Sequence, residues 1–183
     1  MKFKFLVNNK ERFQCDLHSE QCKGTTMAGS RCKRKTVIGV PWCYQHLASE
    51  MSLKIQASTI EDAGKGLFAI SKTKEIVFRK GQTIIEYQGE KITHHELEKR
   101  YGNKTGPYAI TTTQDQIIDA ACERSVGAIA NHKASRHANA KFFTQNKSII
   151  LQAIKQIKNG DEIFVNYGPD FELGDKRVKF MTT

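Results

Sequence analysis

Cys22, Cys32, Cys43 and His46 follow one another in the pattern C-x9-C-x10-C-x2-H. Three thiolates and one imidazole are a preferred tetrahedral set for zinc, and the closing C-x2-H can place two ligands on one turn of chain. A segment this short cannot bury a core, so metal would supply much of its folding energy. Cys15 and His18 form a second C-x2-H pair that competes for the same role. The alternative is a loop of reduced, half-buried thiols. Cys122 stands apart and reads as a small hydrophobe.

A second group of residues lies downstream, in four short segments. Ala63-Gly64-Lys65-Gly66-Leu67-Phe68-Ala69 comes first, then Ile85-Glu86-Tyr87-Gln88-Gly89-Glu90. Ile118-Asp119-Ala120 precedes Ala130-Asn131-His132, and IKNGDEIFVNYG runs from Ile157 to Gly168. Singly these are turns and strands of no special meaning. In this order, over most of the chain, they resemble the SET-domain protein lysine methyltransferases. Gly127-Ala128-Ile129 ahead of the Asn-His pair is similar to compact virus-encoded members.

The resemblance implies a mainly β fold of small curved sheets with few short helices. It also implies a C-terminal segment threaded through an earlier loop, an exception to the rule against knotted chains. The implied activity is methylation of a lysine ε-amino group in a protein by S-adenosylmethionine, with histone or other basic tails as substrates. Gly64 and Gly66 would let the backbone lie close to the cofactor, with Lys65 giving main-chain contacts. Asn131 and His132 would grip the methionine and adenine ends, and Tyr108 would touch the cofactor. Tyr167 falls on the catalytic tyrosine, whose hydroxyl orients the reacting pair without acting as a base. Tyr87 would line the lysine channel, or else is a core aromatic of its strand. Val165, two residues before Tyr167, has no hydroxyl to hold an obstructing water, which implies di- or trimethylation.

The chain departs from the family pattern in places. Asn131 and Asn139 are eight positions apart instead of six, in a loop lacking the usual Ser, Cys and Pro, and Asn166 stands where Asp is usual. No cysteine follows Cys122, so a zinc-binding segment after the SET domain is missing, and Phe171 is a candidate to stack near the adenine. A catalytically weak SET-like binding module is therefore the competing reading. A ribosomal or viral substrate is a third.

These residues need elements to hold them. Runs of β-branched and aromatic residues at 83–88, 108–112, 116–120, 148–154 and 162–167, flanked by turn formers, predict strands. Thr93-His94-His95-Glu96 has capping-box spacing and predicts a helix that Gly102 ends. Texture changes near residue 50, which divides the chain into a Cys/His module over 1–50, a SET domain over 51–171 and a tail over 172–183.

Net charge is +10, with nine Lys and Arg against four acids in residues 1–50 and twenty against fifteen in the rest. That bias, and the run Arg31-Cys32-Lys33-Arg34-Lys35, suit nucleic acid or another polyanion, or simply a basic soluble surface. No run approaches the ~18 apolar residues of a membrane span, and the first residues lack the pattern of a signal peptide. An intracellular protein is expected, nuclear or chromatin-associated if its substrate is histone. Its thiols should be reduced rather than paired. A homodimer is left open.

Overall fold

The computed structural model describes residues 2–36, 40–112, 116–145 and 148–168, with the backbone of 178–182. A hairpin opens the chain, β1 (Lys2–Val7) and β2 (Lys10–Asp16), followed by the Cys/His segment and helix α1 (Tyr44–Met51). Then come β3 (Leu53–Ala57), β4 (Lys65–Ala69), β5 (Ile76–Phe78), β6 (Thr83–Tyr87) and β7 (Glu90–Ile92). Helix α2 (His94–Tyr101) leads to β8 (Ala109–Thr111), β9 (Ile117–Asp119) and a 3-10 turn over Val126–Ile129. β10 (Asn131–His132), β11 (Ala140–Gln145), β12 (Ser148–Ala153), β13 (Ile157–Lys158), β14 (Phe164–Val165) and β15 (Val178–Thr182) complete it.

The strands form several small sheets, as the family resemblance implies. The largest runs β10-β14-β11-β12-β6, and the others are β7-β9-β8, β15-β1-β2, β3-β4 and β13-β5. β14 lies between β10 and β11 and is parallel to both. The closing motif is thus inserted between the two strands that bracket the 133–139 loop. Leu53, Leu67, Leu151, Ile157, Ile163 and Val165 are fully buried in the main core beneath these sheets.

Local rules account for α2. The Thr93 hydroxyl accepts the Glu96 amide at 3.2 Å, and Gly102 closes the helix at φ 67°. Its last turn is fixed to β9 by Asp119, which is fully buried and accepts from Arg100 Nη1 at 2.9 Å and the Tyr101 hydroxyl at 2.7 Å. Burial and the Asp119 charge hold the Tyr101 phenol well above its ordinary range.

Residues 1–50 are less uniform than their composition implies. Asn8 and Asn9, at φ 52° and 60°, make the tight turn of a hairpin whose alternating KFKFLV strand buries Phe3 and Phe5. Those rings pack with Leu17 and with Tyr101 and Ala121 of the body, apart from the Cys22–Cys32–Cys43 cluster. Burying each contributes roughly 1.5–3 kcal/mol. The expectation of unpaired thiols is overturned here: Cys15 and Cys122 form a disulfide, 107 residues apart in sequence, with Cα atoms 5.7 Å apart. Both cysteines pack on the same Phe3–Tyr101–Ala121 cluster, and that shared docking brings them together. Cys15 is accordingly no rival metal ligand, and Cys122 is not a simple hydrophobe. No helix of the described residues is long and apolar enough to cross a membrane.

Candidate functional site

A cavity of about 430 Å³ opens between the end of β6, the 105–111 segment, β11 and residues 166–168. Tyr87, Tyr108, Phe142 and Tyr167 supply its aromatic wall. Tyr87 ends β6, opposite Ile149, with its ring edge-on to Phe142 at 5.1 Å. Its hydroxyl donates to the Tyr108 carbonyl at 2.7 Å. Tyr167 follows β14, where its amide donates to His132 Nδ1 at 3.1 Å and its hydroxyl to the Ala130 carbonyl at 2.7 Å. The His132 and Tyr167 rings lie 5.3 Å apart.

Burial pushes the Tyr167 phenol well above its ordinary range, with the nearby Tyr108 adding to it. Tyr87 is raised as well, by burial and then by the Asp119 charge. Both hydroxyls therefore stay protonated and serve as donors. Tyr108 is held from behind, with the Arg124 guanidinium 3.9 Å over its ring and Phe3 edge-on at 5.5 Å.

A polar cluster lies beside this wall and ties three of the four sequence segments together, through Lys65, Asn131 and Glu162. Asn131 Nδ2 donates to the Lys65 carbonyl at 3.0 Å, to Ser58 Oγ at 3.1 Å and to Glu162 Oε1 at 3.1 Å. Glu162 also accepts the Ser58 hydroxyl and both the amide and the hydroxyl of Thr59. Burial opposes its charge, but the donors from Thr59, Ser58 and Asn131 prevail and hold the carboxyl below its usual range.

This cluster changes the reason for the paired glycines. Gly64, at φ 68°, needs to be glycine for its backbone, and a Cβ there would meet nothing within 4 Å. Gly66 is glycine because a Cβ would overlap the Glu162 carboxylate. Glu162, in the closing motif, is a site residue that sequence reasoning misses. Alternation with Ile163, Val165 and Tyr167 puts an acid there on the more polar face of its strand.

The long Asn-His loop closes onto β14. Asn139 Oδ1 accepts the Phe164 amide at 2.8 Å while its Nδ2 donates to the Glu162 carbonyl at 2.8 Å. Asn166, in place of Asp, accepts the Gly168 amide at 2.7 Å and donates to Ser135 Oγ at 2.8 Å. Val165 does not sit where the channel reading put it. It is fully buried in the main core with Leu67, Ala130 and Ala140, because β14 is an inner strand of its sheet. Phe142 forms the cavity wall instead. Phe171 lies outside the described residues.

The Cys/His ligand set is gathered at a second place. The ligand atoms of Cys22, Cys32, Cys43 and His46 all lie within 4.8 Å of one another, and all four residues are buried. His46 Nδ1 is 3.3 Å from the sulfurs of both Cys22 and Cys43, and the Cys32 and Cys43 sulfurs are 4.0 Å apart. A zinc tetrahedron with bonds of about 2.0–2.3 Å has edges of roughly 3.3–3.8 Å, so the residues fit that ion. His46 Nε2 meets the Thr25 carbonyl at 2.8 Å, which assigns its proton and leaves Nδ1 to ligate. Gly24 makes room for the ring, since a Cβ there would come within 2.6 Å of it.

Comparison with known proteins adds to this geometry. A profile of the SET domain matches residues 64–168. The chain belongs to the SET-domain family. It is 35% identical over 133 residues to the histone-lysine N-methyltransferase EZH2 of Chaetomium thermophilum, covering 66% of this chain and 8% of that protein. It is 27% identical over 179 residues to mouse histone-lysine N-methyltransferase NSD3, covering 94% of this chain and 11% of the other. Among solved structures it resembles ctPRC2 in an autoinhibited conformation bound to S-adenosylmethionine, at 31% identity and a TM-score of 0.52. That likeness covers 66% of this chain and 16% of the other. The chain therefore spans about a tenth of the length of these curated relatives.

Proposed function

We propose that the protein transfers methyl groups from S-adenosylmethionine to lysine side chains of a basic protein tail. The observation that carries this reading is the meeting of Tyr167, Tyr87 and Tyr108 in one aromatic cavity beside the Lys65–Asn131–Glu162 cluster. S-adenosylmethionine supplies an electrophilic methyl carbon on a sulfonium. Gly64 leaves open space along the backbone for that ligand. The half-buried Asn131, whose Oδ1 has no partner among the described residues, and the His132 ring would hold it.

The cavity's aromatic wall receives the lysine stem, and its low polarity disfavours an ammonium, so the amine arrives neutral. Tyr167, kept protonated, orients the amine and the methyl in line, and orientation of this kind supplies several kcal/mol. Phe142, packed edge-on against Tyr87 in this wall, brings no hydroxyl to the site, so the amine can turn and accept a second or third methyl.

Histone-like tails are the proposed substrate and chromatin the proposed location, since the relatives are histone-lysine methyltransferases. Zinc in the Cys22–Cys32–Cys43–His46 cluster is structural in this reading. The divisions near residues 50 and 171 are part of it, with the β1–β2 hairpin serving the body. The basic run Arg31–Lys35 offers a secondary contact for nucleic acid. The competing reading of a module without turnover rested on the altered loop, and the Asn139 and Asn166 bonds favour activity over it.

Labelled S-adenosylmethionine and core histones test the proposal. Label should pass to lysine, and mass spectrometry should find di- or trimethyl products. Tyr167→Phe should lower turnover about a hundredfold while cofactor-induced thermal stabilisation is retained. No label transfer, together with no thermal shift by the cofactor, would reject the enzyme.

A further inference from the structure

Tyr108 lines the aromatic cavity but belongs to no strand: it precedes β8 and is half-buried. Its main chain is fixed, since its carbonyl accepts the Ala120 amide at 3.0 Å and the Tyr87 hydroxyl at 2.7 Å. A ring so placed can still turn about its own side-chain bonds. Its orientation depends on what packs against it, and two of those partners, Phe3 and Arg124, lie outside the cavity lining.

These partners close a ring of residues. Phe3 on β1 pairs with Cys15 on β2, and directly opposite residues of a sheet point to one face. Cys15 is bonded to Cys122, and two residues further on Arg124 lays its guanidinium 3.9 Å over the Tyr108 ring. Phe3 meets the same ring edge-on at 5.5 Å and lies 5.9 Å from the Arg124 guanidinium. Arg124 and Phe3 are both buried, so water competes little for either contact. A cation desolvated over an aromatic face is held more strongly than an exposed one. Phe3 and Cys15 lie outside residues 64–168, the span of the SET-domain match.

We propose that Phe3 and Arg124 are positioning residues for methyl transfer: they clamp the Tyr108 ring in the orientation that shapes the lysine cavity, and the Cys15–Cys122 disulfide ties the hairpin to the Arg124 segment. This deepens the proposed function and rests on its assignment of the cavity to the target lysine. Neither residue lines the cavity, so both act through Tyr108. A ring released from the clamp spends part of its time turned from the wall, and affinity for the lysine falls with the fraction in place. Once the lysine is seated the ring is in place, so the transfer step itself changes little.

Arg124→Met keeps an apolar stem over the ring and removes the cation. It should raise KM for a lysine peptide roughly tenfold, with kcat within about twofold. Arg124→Lys, which keeps a cation without the planar stack, should recover part of the loss. Cys15→Ser should move KM in the same direction, whereas Arg34→Met, which removes the guanidinium 5.7 Å over Tyr44, should leave it unchanged. The ring is read without turnover by NMR of the chain carrying isotope-labelled tyrosine, in which Tyr108→Phe identifies one signal among five tyrosines. That signal should shift and broaden in Arg124→Met and in Phe3→Leu, which fills the same core without an edge for the ring. An unmoved Tyr108 signal in Arg124→Met, or a loss confined to kcat or to melting temperature with KM unchanged, would overturn the proposal. A shifted Tyr108 signal in a chain that transfers no label would uphold the clamp and reject only the reading of the cavity as a methyl-transfer site.

Discussion

Cys22, Cys32 and Cys43 form a buried cluster with Trp42 packed against it, whereas the body buries a continuous core from Leu53 to Val165, which Val40 and Leu47 join from the amino-terminal side. One region concentrates its stability at a single point of polar chemistry. The other spreads it over many apolar contacts, each contributing little. The two respond differently to the same insult: the first fails when one atom is removed, the second erodes. The body also contains one point of the first kind, Glu162 with its donors, and there it should behave like the metal cluster.

The largest effect should come from taking metal out of the Cys/His segment. Structural zinc contributes on the order of 10 kcal/mol to such small units at neutral pH. Metal analysis should find about one zinc per chain, lost in Cys43→Ser. Chelation should make residues 20–46 protease-sensitive while the SET domain melts as before. A body that unfolds together with the segment would show that the two are one cooperative unit and dissolve the contrast.

Next in size are changes at Glu162. Glu162→Ala strands the Ser58, Thr59 and Asn131 donors and should cost about 2–3 kcal/mol. Gly66→Ala forces the same carboxylate aside and should cost about 1–3 kcal/mol. Because the folded-state pKa of Glu162 is depressed, its contribution is complete above the ordinary carboxylate value of about 4.3 and is lost as pH falls through the folded value. Urea midpoints followed downward from pH 6 should show this loss, and Glu162→Gln should flatten it. An identical acid slope in that variant would place the titrating group elsewhere.

The smallest effect is expected at Asn166. Asn166→Asp keeps the acceptor for the Gly168 amide, and the Ser135 hydroxyl can turn to donate, so stability and cofactor-induced thermal shift should change by less than about 0.5 kcal/mol. A larger change would mean that the Asn amide has a second use near the cofactor.

Local order was legible in the sequence. The capping box at Thr93 and the stop at Gly102 specify α2 through contacts within one turn. The β-branched runs specify β6, β9 and β12 because a strand's preference is written in its own residues. The ligands Cys22, Cys32, Cys43 and His46 could be listed from type and spacing, since a metal constrains both. The amino-terminal hairpin was also written locally, in an alternating KFKFLV and the Asn8-Asn9 turn, but the density of cysteine nearby concealed it.

Tertiary structure alone decided the rest. Cys15 meets Cys122 because both dock on an aromatic cluster assembled from three distant parts of the chain. Gly66 is small for the sake of Glu162, 96 residues later, and Val165 is core because β14 is inserted between β10 and β11. A sequence pattern reports what a residue does to its neighbours within a turn or a strand. Which distant surface that residue then faces is set by how the sheets pack, and in this chain that packing assigns the roles of Gly66, Val165 and Cys122.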